Sequence, residues 1–213
     1  MSPFMKPLIA LMSVLTRFRN RSTEVQAKPV HTPDHELLEK TEVLARTVIS
    51  QQSFYKSADC SEKQKQLFET MVGAAIWYLP QGNELWTGFI SKEALEQLAK
   101  ADNPKGVRLT KDHHYPRKVA AKELFEENWA QISDPSAEIL DRYLKKYGCF
   151  NYVLPEENKR LVKYQRSHCF VSPKASYEQA GIELKKLSLE NLKAIQKGDR
   201  KLALLLLSDP EES

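Results

Sequence analysis

Apolar positions recur at helical spacing along most of the chain. Thr32 and Pro33 match an N-cap and first helical position, and Leu37, Leu38, Val43, Leu44 and Val48 continue as an approximate stripe to about Ile49. A second helix starts more sharply. Ser61 and Gln64 have capping-box spacing, and Leu67, Phe68, Met71, Val72, Ala75, Ile76 and Leu79 recur at steps of three and four until Pro80. That stripe is expected to be core. Ser91 caps a third helix carrying Leu95 and Leu98, which Asn103-Pro104-Lys105-Gly106 stops.

The pattern then changes. Val107-Arg108-Leu109-Thr110 alternates apolar and polar, as a short half-buried strand does, and delivers Lys111-Asp112-His113-His114 at its end. Pro116 opens a helix through Val119, Ala120, Leu124 and Phe125, and Asp134-Pro135 opens another that Gly148 closes. Phe150 to Leu154 reads as a second strand, and Pro155-Glu156-Glu157-Asn158 starts a helix with its acids at the positive end. From Pro173 onward, a turn at Tyr177 to Gly181 and the series Leu184, Leu187, Leu189, Leu192 and Ile195 predict covering helices, ending in Leu202 to Leu207 and an acidic tail. The fold class expected is α+β and mostly helical. Residues 1–100 would form a helical N-terminal region, and 101–213 a domain with strands and a helical C-terminal extension.

The 213 residues suffice for one sizeable domain, and a formal charge of +4 permits a polyanionic partner without requiring one. Cys60, Cys149 and Cys169 are far apart and odd in number, which argues against a disulfide framework. Pro7 to Leu15 is apolar and follows Lys6, yet Arg17, Arg19 and Arg21 follow it instead of a small-residue cleavage site. No run reaches the roughly 18 apolar residues of a membrane span. A cytoplasmic protein without membrane contact is expected.

Candidate chemistry centres on Asp112-His113-His114. A carboxylate beside an imidazole holds a divalent ion while the imidazole takes a proton from water, as phosphodiester hydrolysis demands. Bases concentrate nearby: five lie between Lys105 and Lys118, and seven between Arg142 and Arg166 against Glu156 and Glu157. Tyr143, Tyr147, Tyr152 and Tyr164 are interleaved with them, a mixture that holds phosphates and stacks on bases, or else forms a solvated helix face. His168 beside Cys169 reads as core packing before it reads as a metal pair.

The order strand, Asp-His, Pro, basic helix, strand, helix with an early Asn resembles the HNH (ββα-metal) nucleases over about residues 105–184. The matching pieces are Thr110 to Lys118, Phe150 to Leu161, and Tyr177 to Ile182, with a helical insertion between Arg117 and Gly148. The resemblance implies a short two-strand-plus-helix core with a helical N-terminal part and a helical C-terminal cover. It makes Asp112 a metal ligand and His113 the general base, with His114 as fallback. Asn151 would orient the imidazole and Asn158 supply the second ligand; the alternative has Asn158 as orienter and His168 as ligand. Arg117, Lys118, Lys159 and Arg160 would steady phosphates. The implied cofactor is one divalent ion, Mg²⁺ or Mn²⁺. The implied activity is DNA cleavage of restriction or phage-defence type, with RNA and a homodimer left open.

Two other readings stay beside it. A non-catalytic basic nucleic-acid-binding or adaptor protein would use Asp112 and His113 only to shape a turn. Glu157-Asn158-Lys159 also matches the Glu-x-Lys half of another large nuclease fold, with Asp141 or Asp134 upstream.

Overall fold

The computed structural model describes residues 35–80 and 82–208; the Thr32-Pro33 start, His31, the run Pro7 to Leu15 and the acidic tail lie outside them. Among the described residues the chain forms nine α-helices and four strands. They are α1 (His35–Lys56), α2 (Glu62–Trp77), β1 (Trp86–Ser91), α3 (Lys92–Lys100), β2 (Thr110–Asp112), α4 (Arg117–Glu126) and α5 (Pro135–Arg142). Then follow β3 (Phe150–Val153), α6 (Pro155–Leu161), α7 (Pro173–Gln179), β4 (Leu184–Lys186), α8 (Leu189–Gln196) and α9 (Arg200–Ser208). The fold is α+β with one small mixed sheet.

Helix starts follow local chemistry closely. Ser61 accepts from Gln64 N at 3.4 Å while Gln64 Oε1 accepts from Ser61 N at 2.8 Å, closing the capping box of α2. Ser91 caps α3 through Ala94 N at 3.2 Å, and Asp134 caps α5 through Ala137 N at 3.0 Å. After α5 the chain widens into a π-helical stretch, Tyr143–Tyr147, before Gly148.

The sheet order is β2-β3-β1-β4, with β2 and β4 antiparallel to their neighbours and β1 parallel to β3. Strand β1 precedes residue 100, while β3 and β4 follow it. Neither β1 nor β4 is legible as a strand in the sequence. In β1, Gly88 takes a positive φ of 87° at an irregular point of the ladder, and its carbonyl accepts from Leu187 N at 2.9 Å. Strand β4 has only three residues, two of them lysines, so Leu184 belongs to a strand and not to a covering helix. Strand β2 also starts later than the Val107 to Thr110 alternation suggests, because Pro104–Gly106 forms a 3₁₀ turn; Asp112 is therefore the strand's last residue.

Period-two alternation divides β3. Phe150 and Tyr152 pack toward the helical core that also holds Phe125, Ile139 and Tyr143, whereas Val153 packs with Leu161 and Tyr177. Asn151 shares the Val153 side. Helices α2 and α4 cross closely at Gly73, where a Cβ would lie 3.1 Å from the Arg117 carbonyl oxygen. That crossing sets the start of α4 beside Trp77. The α2 stripe is only partly core: Leu67 and Met71 are 59% and 58% exposed, and Met71 edges an apolar groove. Among the described residues no helix is long and apolar enough to cross a membrane.

Candidate functional site

A cleft of about 610 Å³ opens where β2, the start of α4, the end of α2 and the segment after α6 meet. Asp112, His113 and Asn158 all line it, together with Lys111, Arg117, Lys118 and Arg166. The cleft wall thus carries four cationic side chains against the single carboxylate of Asp112, a balance suited to an anionic ligand.

Asp112 is 3% exposed. Gln165 Nε2 donates to its two oxygens at 3.2 and 3.1 Å, and the Tyr177 hydroxyl donates to Oδ2. Burial pushes the carboxyl pKa up, against the lowering effect of those two donors. Both partners are neutral. A buried carboxylate normally pairs with a cation or coordinates a metal, and Asp112 shares its cleft with the cationic side chains of Lys111, Arg117, Lys118 and Arg166.

His113 is half-buried, with its ring 4.8 Å from Trp77 in an edge arrangement and 5.9 Å from Phe150. Burial lowers its pKa and Lys111 adds to that, while a hydrogen bond to the Gly148 backbone opposes both. The net shift is downward, which favours the neutral imidazole. His114 does not line the cleft, and burial with the neighbouring His113 pushes it down to about 4.

Asn151 is 4% exposed and sits behind Asp112, its ladder partner. Its amide donates to Tyr177 Oη at 3.0 Å and accepts from the Thr87 hydroxyl, so its side-chain bonds go to those two residues and not to His113. Of the four proposed phosphate contacts, Arg117 and Lys118 line the cleft. Lys159 pairs instead with Glu156 at 3.0 Å and Arg160 with Glu93 at 3.5 Å; neither lines it. His168 and Cys169 are exposed and outside the cleft lining, so their segment is surface and not core.

The residues of the Glu-x-Lys alternative do not converge. Glu157 is buried and accepts from Ser91 Oγ and from Leu154 N at 2.8 Å, Asp134 caps α5, and Asp141 pairs with Lys145 at 2.5 Å. Sequence reasoning missed Tyr177, Gln165, Trp77 and Arg166. Tyr177 is 65 residues from Asp112, and no spacing rule links a tyrosine to a carboxylate at that distance.

Among the described residues no three or more His, Cys, Asp and Glu gather as a metal cluster. The side chains at the cleft that could donate to an ion are the Asp112 carboxylate, the His113 imidazole and the amides of Asn158 and Gln165, a small set that would leave a hard ion most of its positions for water and phosphate oxygens. Asp112 and Asn158 would hold such an ion. No family model, curated protein or solved structure matches the chain.

Proposed function

We propose that the chain is a metal-dependent endonuclease hydrolysing DNA phosphodiester bonds, of restriction or phage-defence type. One observation carries this function: Asp112, His113 and Asn158 share a cleft with Arg117 and Lys118. The antiparallel pairing of β2 with β3 and the place of α6 directly after β3 support this reading, in which α4 and α5 would be an insertion in a ββα-metal-like core.

In this reading Asp112 and Asn158 hold the divalent ion, which when bound supplies charge to the scissile phosphate and the leaving oxygen. The neutral His113 imidazole takes the proton of the attacking water. Arg117, Lys118 and Arg166 hold flanking phosphates, and the Trp77 and Phe150 rings limit the imidazole's rotation. DNA is the partner proposed, and a homodimer would suit a palindromic target.

A second reading, a basic nucleic-acid-binding or adaptor protein, draws on the fact that Tyr177 and Gln165 already bond both Asp112 oxygens. Incubating the chain with supercoiled plasmid in Mg²⁺, in Mn²⁺ and in EDTA separates the two. Nicking or linearisation that EDTA abolishes supports the nuclease. Retarded but intact plasmid in every condition supports the adaptor.

A further inference from the structure

Tyr177 lies outside both segments that carry the cleft chemistry, yet it is the residue that ties them together. Helix α7 brings it in: Ser172 caps the helix through Ala175 N at 3.1 Å, and the phenol ends 4% exposed between β2 and β3.

With Asp112 ionised, the directions of the Tyr177 hydrogen bonds follow. Asp112 as a carboxylate only accepts, so the single Tyr177 proton must go to Oδ2. The phenol oxygen is then an acceptor, which requires the Asn151 amide to present Nδ2, as it does at 3.0 Å. Asn151 Oδ1 is left to face Thr87, whose hydroxyl donates to it. Thr87, Asn151, Tyr177 and Asp112 therefore form a one-way donor chain running from β1 across β3 to α7 and ending on the cleft carboxylate. Reversing the Asn151 amide would turn the phenol proton away from Asp112 and set two lone pairs against each other. Such chains strengthen link by link in a buried setting.

We propose that Tyr177 is the positioning residue for Asp112, holding its carboxylate in one orientation at the cleft wall, with Asn151 and Thr87 as its supports. The proposal rests on the preceding reading that Asp112 holds the divalent ion. Partners of a ligand, like ligands themselves, set metal affinity through orientation.

The test is Mn²⁺ binding to the full chain, read by titration calorimetry or by the paramagnetic signal of free Mn²⁺, without substrate. Tyr177→Phe is expected to weaken binding by about 10–100-fold while its thermal unfolding stays cooperative. Thr87→Val leaves the phenol in place and breaks only the far end of the chain, so a smaller weakening is expected; it carries the test should Tyr177→Phe not fold. Wild-type Mn²⁺ affinity in the folded variants overturns the positioning role and leaves the nuclease reading standing. Failure of the wild-type chain both to bind Mn²⁺ and to cut plasmid overturns the two together.

Discussion

Asp112 and Asn151 face each other across the β2–β3 ladder, and both side chains bond the same Tyr177 hydroxyl. The shared partner makes strand register a condition of the site. A slip of one residue would turn Asp112 to the other face of the sheet and separate it from Asn151 and α7. The ladder on either side, Thr110 with Val153 and Lys111 with Tyr152, therefore belongs to the same arrangement.

Replacing Asn151 with Ala removes the middle of that arrangement and takes one hydrogen-bond partner each from the Tyr177 and Thr87 hydroxyls. The expected loss is about 1–3 kcal/mol of stability, read as a lower urea midpoint at unchanged slope. An unchanged midpoint would show that the Asn151 bonds contribute nothing net.

A second, half-buried cluster stands beside the cleft. Glu123 accepts from Tyr115 Oη, from Tyr147 Oη at 3.0 Å and from Lys146 Nζ at 2.9 Å, and Tyr115 and Tyr147 line the cleft. Burial acts to raise the Glu123 pKa, but the three donors and the Lys146 charge outweigh it and the net shift is downward. A depressed folded pKa contributes stability that is fully present above the unfolded value of about 4.3 and is lost as pH falls through the folded one. Wild type is thus expected to exceed Glu123→Gln in thermal midpoint at pH 6 to 7, and the gap to close as pH falls through the depressed folded pKa. A gap of constant size across that range would contradict the charge-based account.

Much of this framework is legible in the sequence where a local rule governs. Ser61, Ser91 and Asp134 cap the helices their spacing predicts, and the Asp112-His113 run does reach a cleft with Asn158. The rest depends on distant contacts. Strand β1 exists because β3 and β4 supply its ladder bonds, and its Gly88 breaks the alternation that would announce it. Tyr177 and Gln165 meet Asp112 only after α6 and α7 pack. The resemblance makes Lys159 and Arg160 phosphate contacts, but both lie outside the cleft lining, in surface pairs with Glu156 and Glu93.

That difference separates two sets of cations by experiment. Lys118→Ala and Arg166→Ala, within the cleft lining, are each expected to weaken DNA binding and to reduce the log–log salt slope by about 0.9 for every phosphate no longer neutralised. Lys159→Ala, already paired with Glu156, should leave both quantities near wild type. Anisotropy titrations of a labelled duplex over a range of salt concentrations give both numbers. Equal effects from all three variants would move the binding surface away from the cleft.

In the proposed nuclease, proton transfer from water to the His113 imidazole would be the step on which cleavage turns. It is tested most directly by comparing wild type and His113→Ala for plasmid nicking at pH 7 in Mg²⁺, with DNA affinity and thermal unfolding measured alongside. A loss of about 100-fold or more in rate is expected, the range a general base supplies, with affinity and unfolding close to wild type. Nicking by His113→Ala at the wild-type rate would contradict the account.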